Sequence, residues 1–351
     1  MKVLVVGAGL IGGSIALAAK NAGHTVWIRD AEEEMTDYAA SVLGVEKFQN
    51  TTPELVVVAV PPLAVPAIIN DLKRLTPNSI FIDVASVKNE VVVDVETVCG
   101  ETRNYVPTHP MAGKADSGPE AASYDLFQNR VWVITPLESN EAGTVSKVTT
   151  FIESLGAITI QMSVEEHDAL VARTSHTPQV LSTALAILTS SINDADLQVS
   201  GTALQDMTRI AASNPKLWAD ILIGNRWHVI SALEEINDYI TQLSKALKEQ
   251  NSLLIEQFID KGKEAKRRLP GKHGQPEQSF TIVPVQIEDR PGALADIFNL
   301  AAANQINIED VRIDHALGRQ IAIIEISVVD AVSAEFKQIL RTAGWKIRFE
   351  N

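Results

Sequence analysis

One cysteine, Cys99, is the whole thiol content of this 351-residue chain. No intrachain disulfide can form, and the sequence reads as that of a protein of a reducing compartment. Basic residues are in deficit: 30 Lys and Arg against 44 Asp and Glu leave a formal net charge of -14. That balance speaks against nucleic acid or an anionic membrane surface as a partner, because both reward a cationic excess. Long apolar runs are missing too. The longest, residues 55–69, is interrupted by Pro61, Pro62 and Pro66 and is too short to span a bilayer. No apolar leader with a small-residue cleavage site opens the sequence, so the expected location is the cytoplasm. The seven histidines show no metal-ligand spacing, and no metal is expected.

What the chain does have is the apolar content of an ordinary globular protein, 46% hydrophobic with 21% charged residues, over a length that predicts two or three domains. Val3-Leu4-Val5-Val6 is a β-branched run of the kind buried on both faces of a parallel sheet. Gly7-Ala8-Gly9-Leu10-Ile11-Gly12 follows at once, and residues 13–19 read as a helix. Such a glycine pattern says little alone. Between a strand and a helix, with a second strand ending near Asp30, it predicts a dinucleotide site. Gly7 permits the tight turn, Gly9 lets a pyrophosphate approach the backbone, and Gly12 lets helix and strand pack closely. Leu10 and Ile11 lie in the same loop, and Pro61 on the same rim. The diphosphate would rest on free amides at a positive helix end. Asp30 would accept from the adenosine ribose and repel a 2'-phosphate, which favours NAD, while Arg29 beside it leaves NADP open. Strands at 55–60, 80–84, 131–135 and 158–162 alternate with helical patterns, predicting a parallel, doubly wound Rossmann-type α/β sheet over residues 1–165.

Ligands of such sheets lie beyond the carboxyl ends of the strands. Ser86 is on that rim, as the N-cap of the following helix or as a functional hydroxyl. So is Thr108-His109-Pro110-Met111-Ala112-Gly113, with Ser117-Gly118 just beyond. Pro and Gly interrupt regular structure there, so His109 is expected on a loop, able to take a proton near neutral pH. By itself such a histidine reads first as a turn residue with a satisfied nitrogen.

Residues 166–260 hold hardly a β-type run and predict an all-α domain. Glu165-Glu166-His167-Asp168 opens one helix, residues 179–192 form a long apolar one, and Asn214-Pro215 starts another. Residues 221–257 read as a single amphipathic helix, with Ile223, Trp227, Ile230 and Leu233 at threes and fours. A face of this kind predicts a homodimer, although a helix packed only within its own chain would look the same. Ser175-His176-Thr177-Pro178-Gln179 places polar groups at a helix start. Asp206-Met207-Thr208-Arg209-Ile210-Ala211 sets one arginine among small and apolar neighbours, where a snorkelling surface group is the ordinary reading.

Taken together, the glycine loop, His109-Pro110-Met111-Ala112-Gly113, Ser175-His176-Thr177-Pro178 and Asp206 to Ala211 resemble the prephenate/arogenate dehydrogenase family of tyrosine biosynthesis, over about residues 1–260. The resemblance implies that His109 accepts a hydrogen bond from the 4-hydroxyl of a cyclohexadiene ring and that Arg209 binds a substrate carboxylate. It implies further that Ser86 assists near the nicotinamide, that His176 and Gln179 line the substrate site, and that hydride passes to NAD as the ring carboxylate departs as carbon dioxide. Two positions depart from the family. Gln179 stands where many relatives carry a second histidine, and Ala115, with Asp116 adjacent, stands where some carry an acidic residue. Both bear on whether prephenate or arogenate is the substrate.

Residues 261–279, rich in Lys, Arg, Gly, Pro and Gln, predict a solvated linker. From Phe280 the order strand, helix, strand, strand, helix, strand predicts a small α+β ferredoxin-like domain over 280–351, an antiparallel sheet with helices on one face. Asp289-Arg290-Pro291-Gly292-Ala293-Leu294 and the turn at Ile306-Asn307-Ile308 resemble an ACT domain. That resemblance implies an amino-acid effector, tyrosine, at Asp289, Arg290, Gly292 and Asn307. The expectation is an NAD-dependent prephenate dehydrogenase. Its rivals are an arogenate dehydrogenase, a β-hydroxyacid dehydrogenase, which would carry a catalytic lysine in the helical domain, and a silent amino-acid sensor.

Overall fold

Alternate residues of one short strand feed two different cores. In β1 (Lys2–Val6), Val3 and Val5 join one apolar cluster and Leu4 and Val6 the other. The strand is therefore central in a sheet covered on both faces. The computed structural model describes residues 1–49, 51–114, 118–269, 280–288, 290–315 and 321–348, with the backbone alone at 314 and 315. From β1 the chain continues through α1 (Leu10–Asn21), β2 (Thr25–Arg29), α2 (Glu33–Leu43), β3 (Glu46–Lys47), β4 (Leu55–Val58), α3 (Val65–Leu75), β5 (Ile80–Asp83) and α4 (Asn89–Cys99). It then forms β6 (Tyr105–Pro110), β7 (Val131–Ile134), α5 (Ala142–Ser154) and β8 (Ile158–Gln161). The strand order is β3-β2-β1-β4-β5-β6-β7-β8, winding outward both ways from β1. All four residues of β4 and of β5 are buried, and each buried Val, Leu or Ile contributes roughly 1.5–3 kcal/mol.

Two expectations are corrected here. β7 runs antiparallel to β6, with His109 opposite Val133, whereas the alternation predicts a parallel strand. A parallel return needs a crossover of a dozen or more residues, usually helical, and among the described residues the 111–130 connection holds only the short turn Pro119–Ala121. His109 lies within β6, not on a loop, because Pro107 and Pro110 are tolerated in the strand. Pro107 still joins the ladder through its carbonyl, which accepts from the Thr135 amide at 2.9 Å, and just beyond Pro110 the Met111 amide donates to Val131 at 2.9 Å.

The helices that follow are α6 (Val164–Val171), a π-helical turn at Ala172–His176, α7 (Thr177–Leu188), α8 (Asp194–Leu197), α9 (Thr202–Thr208), α10 (Pro215–Gly224), α11 (Arg226–Lys248) and α12 (Ser252–Arg267). Ser163 and Glu166 close a capping box at the start of α6. The single helix expected over 221–257 is three. Asn225 turns its side chain inward to bond Asp168 and His176, and Gln250, at φ 50°, ends α11 before Asn251 caps α12. Residues 261–267, expected in the linker, belong to α12, since Lys, Glu, Ala and Arg favour helix without an apolar face.

The last elements are β9 (Phe280–Glu288), α13 (Ala293–Ala303), β10 (Asp310–His315), β11 (Ile321–Val329), α14 (Asp330–Thr342) and β12 (Lys346–Ile347), in an antiparallel sheet ordered β10-β11-β9-β12. Val283, Val285, Ile324 and Ile326 share a core with Ile297 of α13 and Phe336 of α14. The chain divides into two compact units, Met1–Asp238 and Tyr239–Asn351. Among the described residues no helix is long and apolar enough to cross a membrane. Ala115, Asp116, Ser117, Asp289 and residues 270–279 of the expected linker lie outside the described residues.

Candidate active site

β1 delivers the chain into Gly7 at φ 103°, where an added Cβ would stand 2.2 Å from the Ala59 carbonyl oxygen. A Cβ at Gly12 would lie 2.0 Å from the Gly7 oxygen. Neither position has room for a side chain. Between them, a Cβ at Gly9 would meet nothing within 4 Å, so the backbone there faces open space where a pyrophosphate can approach. Leu10 and Ile11, half-buried, form the first turn of α1, and Pro61 is exposed beyond β4. The Asp30 carboxylate is tied to this loop: it accepts from the Ala8 amide at 2.7 Å and the Ala31 amide at 2.8 Å. Arg29 is exposed beside it. The residues present fit a dinucleotide.

His109, on β6 at the sheet's rim, is 9% exposed. Its Nδ1 lies 2.9 Å from His167 Nε2, and His167 Nδ1 lies 2.8 Å from Asp168 Oδ1. Asp168 is held at the start of α4, where the Lys88 amide donates to Oδ1 at 2.9 Å and the Asn89 amide to Oδ2 at 2.8 Å. Burial opposes its charge, but the hydrogen bonds from His167 and these two amides outweigh it and hold the carboxyl below its usual range. This also corrects one reading of Ser86: Asp168, reaching in from α6, satisfies the amides at the start of α4, and Ser86 is not the N-cap. Ser86 stays half-buried in the β5–α4 connection.

Beneath this chain of rings is a charged pair with no access to water. Lys88 and Asp83 are both 0% exposed, and Lys88 Nζ donates to Asp83 Oδ1 and, at 2.7 Å, to the Thr108 carbonyl. Tyr105 donates to the other Asp83 oxygen at 2.8 Å. Burial favours loss of the Lys88 proton, and Asp83 opposes this. The consequence reaches His109. Burial first, then repulsion from the cationic forms of His167, Lys88 and His176, pushes its imidazole well below 6.5, so the ring is neutral at pH 7.

His176, 1% exposed on the π-helical turn, joins the same web through Asn225, whose Nδ2 donates to the Asp168 carbonyl at 2.8 Å and lies 3.1 Å from His176 Nδ1. Its ring stands edge-on to Trp218, and burial lowers its pKa to about 4. Gln179, one turn further, is buried, and its Oε1 lies 3.4 Å from Ser213 Oγ, which donates to Ile210 at 2.6 Å. Arg209 is exposed on that turn, and among the described residues its guanidinium has no partner. His109 and His176 thus share one hydrogen-bonded web through His167, Asp168 and Asn225, while Gln179 bonds Ser213 on the segment that follows Arg209.

Sequence reasoning missed His167, Asp168, Lys88, Asp83 and Asn225. The signal for two of them was there, an adjacent His-Asp pair on the buried face of α6, but its partner is 58 residues away. In the C-terminal unit, Arg290 pairs with Asp296 at 2.8 Å, Gly292 takes φ 88° before α13, and the Asn307 amide donates to Glu309.

The family model described as prephenate dehydrogenase, nucleotide-binding domain, matches residues 15–161, and the one described as prephenate dehydrogenase, dimerization domain, matches 163–259. A probable prephenate dehydrogenase, NovF, of Streptomyces niveus is 26% identical over 97% of this chain and 98% of that protein. The prephenate dehydrogenase of Bacillus subtilis is 28% identical over 89% of this chain and 87% of that one. Among solved structures, prephenate dehydrogenase from A. aeolicus in complex with hydroxyphenyl propionate and NAD+ aligns with a TM-score of 0.68 at 25% identity, covering 76% of this chain and 96% of that one.

Proposed function

This chain belongs to the prephenate dehydrogenase family, and from that premise we propose that it converts prephenate to 4-hydroxyphenylpyruvate by NAD-dependent oxidative decarboxylation. The observation that carries the reading is His109, a buried imidazole that is neutral at pH 7 on the rim of the sheet whose first strand runs into the glycine cradle. A neutral ring is the form that can take a proton. In this reading His109 takes the proton of the substrate's 4-hydroxyl while the C4 hydride leaves. The C–C bond to the ring carboxylate then breaks, its electrons complete the aromatic ring, and the proton held by His109 returns to the phenolate oxygen. NAD, when bound, supplies the hydride acceptor.

Gly7, Gly9, Leu10, Ile11, Gly12 and Pro61 would hold the dinucleotide, with Asp30 on the ribose hydroxyls. Arg209 would bind a substrate carboxylate by charge-assisted hydrogen bonds, His176 and Gln179 would line the side-chain end, and Ser86 would assist beside His109. The functional division we propose is 1–165 for the cofactor, 166–260 for substrate and dimerisation, 261–279 as a connection, and 280–351 for regulation. Exposed apolar side chains on α7, α10 and α11, among them Ile187, Leu188, Ile223 and Trp227, support a homodimer. The cytoplasm is the proposed location, and tyrosine the proposed effector at an ACT-like site including Arg290, Gly292 and Asn307. Removing residues 280–351 should abolish tyrosine inhibition and keep turnover; inhibition that persists would refute it.

Gln179, in place of the family's second histidine, favours a second reading, arogenate as substrate. Turnover assays of purified protein with prephenate and arogenate, each with NAD and NADP, separate the two. Prephenate with NAD is the expected pair, and turnover of arogenate alone would overturn it.

A further inference from the structure

The web around His109 contains two residues, His167 and Asp168, to which the proposed function gives no part. We infer that His167 and Asp168 are positioning residues that fix the His109 tautomer, leaving its Nε2 as the proton acceptor. The inference rests on the proposed function for what the proton acceptor is used for, but its geometry does not.

Asp168 is the fixed point. Its two oxygens receive two backbone amides at the start of α4 and the ring of His167, and an ionised carboxylate can only accept. His167 must therefore carry a hydrogen on Nδ1. In the neutral form of His167 this is the ring's one hydrogen, which makes Nε2 a bare lone pair. That lone pair is 2.9 Å from His109 Nδ1, and a contact of this length between two ring nitrogens needs one hydrogen, which His109 supplies. Nδ1 of His109 is then the donor, and its second nitrogen is free of hydrogen.

The same arrangement helps when the proton arrives. With Nε2 protonated, His109 becomes an imidazolium whose Nδ1–H still points at a lone pair, and that lone pair belongs to a ring backed by a carboxylate. No proton has to move beyond His109. Lys88 acts in the other direction, since its ammonium beneath Thr108 disfavours charge on His109 and keeps the resting ring neutral. His176, the remaining titratable group nearby, joins through Asn225 and the backbone of Asp168, not through His109.

The test is nitrogen NMR of the full-length protein labelled at histidine, with His109 assigned by its loss in His109→Asn. The expected spectrum at pH 7 has His109 protonated at Nδ1 and bare at Nε2; the opposite tautomer overturns the inference whatever the substrate is. Kinetics give a second reading. His167→Leu should lower kcat roughly a hundredfold, the range of lost acid–base help, with the dissociation constant for NAD unchanged. His167→Gln, whose amide oxygen can still accept from His109 Nδ1, should recover most of that loss. Equal losses in Leu and Gln, or none in Leu, would refute positioning through this hydrogen bond. Should neither variant fold, the wild-type spectrum alone decides. Failure of the wild-type protein to turn over prephenate or arogenate would count against the proposed function and leave the tautomer result standing.

Discussion

His109 Nδ1 and His167 Nε2 meet at 2.9 Å although 58 residues separate them in the chain. One ring comes from the sheet's rim and the other from the first helix after the sheet, α6. The base is therefore assembled by the docking of that helix onto α4, where Asp168 receives two amides. Neither segment makes the site by itself.

Replacing His109 with Asn should lower kcat roughly a hundredfold, within the range of lost acid–base assistance, while NAD affinity, read by fluorescence titration, stays as in the wild type. The pH profile checks the same ring. A protonated imidazole cannot accept a proton, and burial and neighbouring charge hold His109 well below 6.5. The acid limb of kcat/KM should therefore fall below pH 6.5, and a limb above 6.5 would contradict the assigned base.

Arg209→Gln should act on binding. A charge-assisted pair with a carboxylate is worth roughly 1.5–3 kcal/mol, which is about 10- to 150-fold in KM. Steady-state kinetics should place most of that loss in KM, with kcat changed less. A loss confined to kcat would assign the arginine to the transition state instead.

Much of the fold was legible because its signals are local. The Val3–Val6 run, the Gly7–Gly12 turn and the βαββαβ order from Phe280 follow from period and turn chemistry over a few residues. The antiparallel β7 and the strand placement of His109 were not legible, since sequence alone does not say whether a proline falls where a ladder needs its amide. The site split in the same way. His109, Ser86 and the glycines sit in motifs, whereas Lys88 and Asp83 look like an ordinary surface lysine and a strand-end carboxylate until the fold excludes water from both. Asn225 reads as a helix residue, and only the bonds of its side chain to the Asp168 carbonyl and the His176 ring show why the helix breaks there.

The Lys88–Asp83 pair makes a stability prediction. Lys88→Met leaves the Asp83 carboxylate buried without its counter-ion, which should cost about 3–5 kcal/mol. The double variant Lys88→Met with Asp83→Asn removes both charges and should recover a large part of that loss, since the desolvation cost of the ions is removed as well. Urea unfolding of the single and double variants checks this, and a double variant no more stable than Lys88→Met would show that the two residues do not act as a pair.

His176 sets how stability depends on pH. Its pKa in the folded chain is about 4, lowered by burial, against the ordinary histidine value of 6.5 that holds in the unfolded chain. The unfolded chain therefore binds more protons between these values, so this contribution is fully present above pH 6.5 and is lost as pH falls towards 4. The whole interval corresponds to roughly 3 kcal/mol, with about 2 kcal/mol gone by pH 5. His109, also depressed, adds in the same direction. Gln at position 176 can still accept from Asn225 but does not titrate, so His176→Gln should narrow the difference in urea midpoint between pH 7 and pH 5. A wild-type protein equally stable at both pH values, or a His176→Gln variant with the full wild-type difference, would mean that His176 does not carry this dependence.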